Sequence, residues 1–204
     1  MLVDDHAVVR AGYRHLMSTS SQIDVIAESD TAENACQLYA QLKPDVVVMD
    51  LNLPNMTGLE CIRRIILQDS NAAILAFTIH DELIYLERAL QAGAKGYLTK
   101  SCDPRLLLEG IEAIAKGRTF IAPLLVSKQQ KKQAGSIKRL NKVDKLSPRE
   151  FDVYCLLIKG YTTKDIADTL FLSQKTVANY ATQIKAKFGA KTVAEMTHLA
   201  ASKD

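Results

Sequence analysis

Five residues with reactive or charged side chains stand where short apolar runs end. Asp4 and Asp5 follow Met1–Val3, Asp50 follows Val46–Met49, Thr78 follows Ala73–Phe77, and Lys100 follows Lys95–Leu98. Carboxylates gathered in one crevice raise each other's pKa unless a cation joins them. A hard, oxygen-seeking ion such as Mg²⁺ resolves that repulsion and can hold a phosphoryl group at the same time. Asp50, flanked by such an ion and by Lys100, is then placed as a carboxylate nucleophile. Thr78 can donate its hydroxyl to a phosphoryl oxygen, and Lys100 a charge-assisted hydrogen bond. Each residue alone is commonplace as a strand-end or surface group. Their joint placement carries the expectation.

That placement depends on the elements around them. β-rich runs at Met1–Val3, Ile23–Glu28, Asp45–Met49, Ala73–Phe77 and Lys95–Leu98 alternate with amphipathic stretches at His6–Met17, Thr31–Leu42, Gly58–Leu67, Asp81–Ala92 and Asp103–Lys116. Val46–Met49 is apolar on both faces, as a central parallel strand covered on both sides must be. Five β-α repeats predict an α/β fold: a doubly wound, five-stranded parallel sheet ordered 2-1-3-4-5, with its crevice at the carboxyl ends of the strands. In that order strands one, three, four and five end side by side. Only Met1-Leu2-Val3 precede the acidic pair, whereas a strand ordinarily has about 5–6 residues; either the native start lies upstream, the favoured expectation, or strand one is short and the domain less stable.

The net charge of +3 conceals an asymmetry. Residues 1–123 carry 11 basic and 16 acidic side chains, residues 124–145 carry 7 and 1, and residues 146–204 carry 8 and 6. An acidic front and a basic rear imply different partners, a polyanion suiting the second. Residues 121–145, rich in Lys, Gln and Ser, read as a basic flexible linker between domains at 1–120 and 146–204. No apolar stretch reaches the ~18 residues of a membrane span, and no signal-peptide pattern opens the chain, so a cytoplasmic protein is expected. Cys36, Cys61, Cys102 and Cys155 form no metal spacing and read as reduced, packed thiols.

Past the linker the pattern is purely helical. Ser147-Pro148-Arg149-Glu150 predicts a helix start with a capping box and proline at the first position. A second, short helix is expected at Thr163–Leu170 and a third at Gln174–Phe188, with a turn at Leu172-Ser173 between them and a last helix from about Thr192 to Ala201. This is a small all-α helix-turn-helix domain. Ile166, Ala167, Leu170, Leu172, Val177, Ile184 and Phe188 form its apolar side. Opposite them, Lys175, Ala178, Asn179, Thr182, Gln183 and Lys185 present a face suited to base edges bordered by phosphates. Lys164 can reach a phosphate oxygen.

VDDH (3–6), MDLNLPNMTGLE (49–60), Thr78 and AGAKGYLTK (92–100) resemble the receiver domain of response regulators. LSPRE (146–150), KGYTTKDIADTLFLSQKTV (159–177) and the KF-G ending (187–189) resemble the LuxR-type output domain of the NarL/FixJ subgroup; KTVANY and MTHLA are similar to its GacA/UvrY-like branch. The resemblance implies that Asp50 accepts phosphate from a sensor histidine kinase. It implies that Asp5, Asp50 and the backbone carbonyl of Asn52 hold Mg²⁺ with Asp4 nearby, and that Thr78 and Tyr97 shift together on phosphorylation. It also implies a homodimer on promoter DNA, with Lys164, Lys175, Thr176, Ala178, Asn179, Thr182, Gln183, Lys185 and Lys187 at the DNA. Three positions depart from the family pattern: Ser101 follows the lysine where proline is common, Ala178 replaces a polar residue, and Tyr180 replaces a frequent histidine. Two other readings stay open: a Mg²⁺-dependent phosphate enzyme, against which no Walker, GxGxxG or GxSxG motif is found, and an adaptor whose helical module binds protein. The leading expectation is a phosphorylation-dependent DNA-binding regulator, not an enzyme.

Overall fold

The computed structural model describes residues 1–123, 125–126 and 142–196. The chain divides into two compact units, Met1–Gly135 and Ser136–Asp204.

The first unit is built on a parallel sheet of strands β1 (Leu2–Val3), β2 (Glu28–Ser29), β3 (Val47–Met49), β4 (Ile74–Thr78), β5 (Gly96–Thr99) and β6 (Phe120–Ile121), ordered β2-β1-β3-β4-β5-β6. Helices α1 (Ala7–Ser18), α2 (Ala32–Leu42), α3 (Gly58–Gln68), α4 (Leu83–Ala92) and α5 (Arg105–Ala115) connect them. Every residue of β3 and β4 is buried. Because successive strand residues point to opposite faces, both faces must be covered.

The expected order holds, and the strand count does not. A sixth strand lies at the edge, where Phe120 and Ile121 pair with Gly96 and Tyr97, so Ile121 belongs to the sheet and not to the predicted linker. The second strand was expected over Ile23–Glu28 and forms only at Glu28–Ser29. Its partner β1 offers a two-residue ladder, Leu2 opposite Glu28 and Val3 opposite Ser29, and apolar residues without a ladder do not make a strand. α4 begins at Leu83, two residues after the predicted Asp81. Residues 79–82 belong to a loop fastened at His80, whose amide donates to Thr78 Oγ1 at 3.5 Å and whose carbonyl accepts from Tyr97 Oη at 2.9 Å.

The second unit contains α6 (Pro148–Ile158), α7 (Thr163–Thr169) and α8 (Gln174–Phe188), preceded by a 3-10 turn at Lys142–Lys145. The predicted capping box is present: Ser147 Oγ accepts from the Glu150 amide and Glu150 Oε2 from the Ser147 amide. A second one, not anticipated, starts α7 with Thr162 and Asp165. Ser173 Oγ accepts from the Thr176 amide at 3.0 Å and starts α8; Gly189, with φ at 66°, ends it. Phe151, Ile166, Val177, Ile184, Phe188 and Met196 form the core, with the Tyr154 and Phe188 rings stacked 5.2 Å apart. Residues 193–196 are helical. The rest of the helix predicted to Ala201, and most of the predicted linker, lie outside the described residues.

Candidate functional site

Parallel pairing settles which side chains meet. Val3 stands opposite Met49 and Thr78 opposite Thr99, so the next residues, Asp4, Asp50 and Lys100, emerge together at the carboxyl edge. The backbone fixes this alignment: the Asp50 amide donates to Val3 O at 2.9 Å, and the Lys100 amide to Thr78 O at 2.7 Å. Lys100 Nζ then bridges Asp4 Oδ2 at 2.7 Å and Asp50 Oδ2 at 2.6 Å. Asp4 is 1% exposed and Asp50 2%, so both ion pairs are shielded from water and from salt.

One ammonium does not neutralise this site. Asp4, Asp5, His6 and Asp50 each offer a ligand atom, all within 4.8 Å of one another. Burial pushes the Asp50 carboxyl up to about 6, reinforced by Asp4 and opposed by Lys100 and by the Asn52 amide. Burial works against the Lys100 ammonium, but Asp50 and Asp4 outweigh it and raise its pKa. Asp5 Oδ1 is buried and has no hydrogen-bond partner, although His6 Nδ1 lies 2.7 Å away. Three carboxylates converging at one strand edge, with ligand atoms within 4.8 Å of one another, are a donor set for a hard divalent cation. The residues therefore fit Mg²⁺. His6, 61% exposed at its side chain, stands on the outer side of the cluster and was not anticipated. Its signal was its place directly after the acidic pair.

The Asp50 side chain is held from two directions. Asp50 Oδ1 accepts from the Asn52 amide at 3.0 Å, which turns the loop so that Oδ2 faces Lys100. Gly58, the first residue of α3, packs directly on the end of β3: a Cβ there would lie 2.0 Å from Asp50 O. Thr78 is fully buried at the end of β4. Tyr97 is also fully buried, its hydroxyl on the His80 carbonyl. His80 is a second residue that the sequence reading passed over. Its ring stacks on Tyr85 with centroids 3.7 Å apart, and its Nε2 lies 2.8 Å from Asn52 Oδ1, joining the loop after β4 to the loop after β3. A histidine two residues past a strand end gives little warning of that contact.

In the second unit, α8 turns Val177, Ile184 and Phe188 inward. Lys175, Ala178, Asn179, Thr182 and Gln183 are exposed at the spacing of one helical face, and Lys185 is half-buried beside it. Lys164 is exposed on α7. Thr182 Oγ1 donates to Ala178 O at 3.0 Å, and Thr176 Oγ1 lies 2.8 Å from Ser173 Oγ. Lys187 differs from the others. Its ammonium pairs with Glu150 Oε2 at 2.5 Å and donates to Lys145 O at 3.2 Å, tying α8 to the start of α6. Phe171, just before α8, is 65% exposed with φ at 54°. It is the left-handed residue of the turn that was expected at Leu172-Ser173.

With this geometry in hand, the chain matches the response regulator receiver domain over residues 1–112 and the luxR family of bacterial regulatory proteins over residues 144–200. It is 35% identical over 204 residues to the transcriptional activator protein ExaE of Pseudomonas putida, covering 98% of this chain and 94% of that protein. It is 32% identical over 200 residues to the response regulator UvrY of Escherichia coli (strain K12), covering 98% and 92%. Among solved structures, it resembles a two-component response regulator of the LuxR family from Aurantimonas sp. SI85-9A1 with a TM-score of 0.64. The identity there is 43%, over 66% of this chain and 96% of that one.

Proposed function

Because the chain belongs to the response regulators that join a receiver domain to a luxR-family DNA-binding domain, we propose that it regulates transcription in response to phosphoryl transfer from a histidine kinase onto Asp50. The supporting observation is the bridge of Lys100 between Asp4 and Asp50, with the Asp5 carboxylate beside them in the same cluster. Asp50 Oδ2 is the attacking oxygen, and its breaking of the phosphohistidine P–N bond leaves an acyl phosphate. Lys100 Nζ, already on Oδ2, neutralises charge on the arriving phosphoryl oxygens. Thr78 supplies a hydroxyl from the neighbouring strand end. Mg²⁺, held by Asp5, Asp50 and the Asn52 carbonyl with Asp4 beside them, would supply charge neutralisation at the phosphoryl oxygens.

Residues 1–121 carry this chemistry, the segment between Ile121 and Lys142 tethers the domains, and 142–204 bind promoter DNA. Asn179, Thr182 and Gln183 face base edges; Lys164, Lys175, Thr176 and Lys185 border the phosphates, with Ala178 against the groove floor. Lys187 contributes through its pair with Glu150, which ties the end of α8 to the start of α6. The thrust of the modification is a new divalent anion at a buried strand edge, with Thr78 and Tyr97 the side chains placed to respond. Phosphorylation favours a homodimer on two half-sites. We read the protein as a cytoplasmic regulator and not an enzyme; among the described residues, no helix is long and apolar enough to cross a membrane.

Labelling with a small acyl-phosphate donor tests the assignment. Asp50→Asn keeps the shape and removes the nucleophile, so labelling disappears while the circular dichroism spectrum is unchanged. Undiminished labelling rejects Asp50 as the acceptor.

A further inference from the structure

Cys36 and Cys61 stand 25 residues apart in sequence, yet their sulfurs lie 3.4 Å apart where α2 packs on α3. Both thiols are free. Cys61 is fully buried on the inner face of α3, and its Sγ also lies 3.3 Å from the Ala32 carbonyl, which accepts its proton. Cys36 is half-buried on α2 and reachable from solvent. Two packed thiols in contact could be simple filling of a helix–helix seam. The pair is asymmetric, however, in the way that thiol-disulfide chemistry requires. The Cys61 S–H can turn from Ala32 O onto the Cys36 sulfur, which favours the Cys36 thiolate; burial opposes this, and the Arg64 guanidinium aids it, with a lowered Cys36 pKa as the result. Cys61, facing that thiolate and fully buried, is pushed up. Cys36 is thus the sulfur within reach of solvent and the readier of the two to ionise, and Cys61 is the buried thiol held 3.4 Å from it.

We propose that Cys36 and Cys61 are a peroxide-reactive pair that closes to a reversible disulfide between α2 and α3. The Cys36 thiolate attacks one oxygen of hydrogen peroxide, the O–O bond breaks, and the departing hydroxide takes a proton to leave as water. Cys36 is now a sulfenic acid. The Cys61 sulfur attacks the Cys36 sulfur, the S–O bond breaks, and the hydroxyl leaves as water with the Cys61 proton. Two thiols and one peroxide give one disulfide and two waters, with two electrons passing from sulfur to oxygen. The sulfurs must approach by about 1.3 Å to reach the ~2.05 Å of a disulfide, a movement within the scope of side-chain rotation and slight helix adjustment. A dithiol reductant reverses it. The cross-link would fasten α3 to α2 one helical turn from Gly58, the residue that rests on Asp50 O. The chemistry does not depend on the phosphoacceptor, so an Asp50→Asn chain forms the same bond.

Peptide mass spectrometry of the reduced full chain, treated with hydrogen peroxide and then with an alkylating reagent, tests the pair. The expected product is a cross-linked peptide joining Cys36 to Cys61, lighter by two hydrogen atoms and released by dithiothreitol, with Cys102 and Cys155 alkylated. Cys61→Ser should leave a sulfenic acid on Cys36 that dimedone traps, and Cys36→Ser should leave Cys61 unoxidised. Full alkylation of Cys36 and Cys61 in the peroxide-treated wild type overturns the proposal, as does prior oxidation of Cys102. The wild-type result stands even if the buried Cys61→Ser substitution impairs folding.

Discussion

Gly58→Ala is the substitution whose cost the geometry defines most directly. The added Cβ would lie 2.0 Å from Asp50 O, 2.7 Å from Leu51 Cα and 2.8 Å from Asp50 C. All three are backbone atoms, so no side chain can rotate away. Restoring ordinary contact requires α3 and the end of β3 to part by roughly 1 Å or more, judged against normal carbon contact distances. Overpacking of this kind costs about 1–3 kcal/mol. The upper half of that range applies here because the Gly58 amide also loses its 3.1 Å bond to Leu51 O. With a urea dependence of about 1–3 kcal/mol per molar, the unfolding midpoint should fall by roughly 1–2 M. Because β3 leads into Asp50, the proposed acceptor, a shift of about 1 Å should also slow its labelling by on the order of 100-fold. Gly12→Ala makes the same chemical change in α1, where a Cβ meets nothing within 4 Å. It should stabilise by about 1 kcal/mol through helix propensity and leave labelling unaltered. Hydrogen exchange read by mass spectrometry along a urea series, on peptides from α3 and α8, separates the two compact units. A Gly58→Ala protein with wild-type midpoint and labelling rate would refute the close-approach argument, and equal destabilisation by both variants would show that the position is immaterial.

Other expectations concern the helical unit. Burial raises the Glu150 carboxyl, but the Lys187 ammonium and the Ser147 amide and hydroxyl outweigh it and leave it below the ordinary glutamate value. Its stabilisation is therefore complete above the unfolded pKa of about 4.3 and is lost as the pH falls through the lower folded value. Glu150→Gln should cost about 1–3 kcal/mol at neutral pH, with the difference from wild type shrinking on acidification; a gap that widens in acid contradicts the assignment. Asn179→Ala should relax base preference by about 1–3 kcal/mol, measured by competition between operator variants. Lys175→Ala should weaken binding to all sequences and lower the salt slope by about 1. Identical behaviour of the two variants in these DNA titrations would show that the recognition face is misassigned.

The residues themselves determined the alternation of strands and helices, the acidic ends of β1 and β3, the lysine after β5 and the capping box at Ser147, because hydrophobic period and capping chemistry are local. The continuous apolar run at β3 required a doubly covered sheet, and in such a sheet the strand ends converge. What tertiary structure alone decided are relations between distant residues. Glu28–Ser29 became the strand and Ile23–Ala27 did not, since a strand exists only where a neighbour offers backbone partners. Lys187 turned to Glu150 and His80 to Asn52 because the loops and helices carrying them meet in space, 37 and 28 residues apart in sequence. Cys36 and Cys61 read singly as ordinary buried thiols. Only the packing of α2 on α3 sets their sulfurs in contact, because the distance between two helix faces is fixed by all the side chains between them.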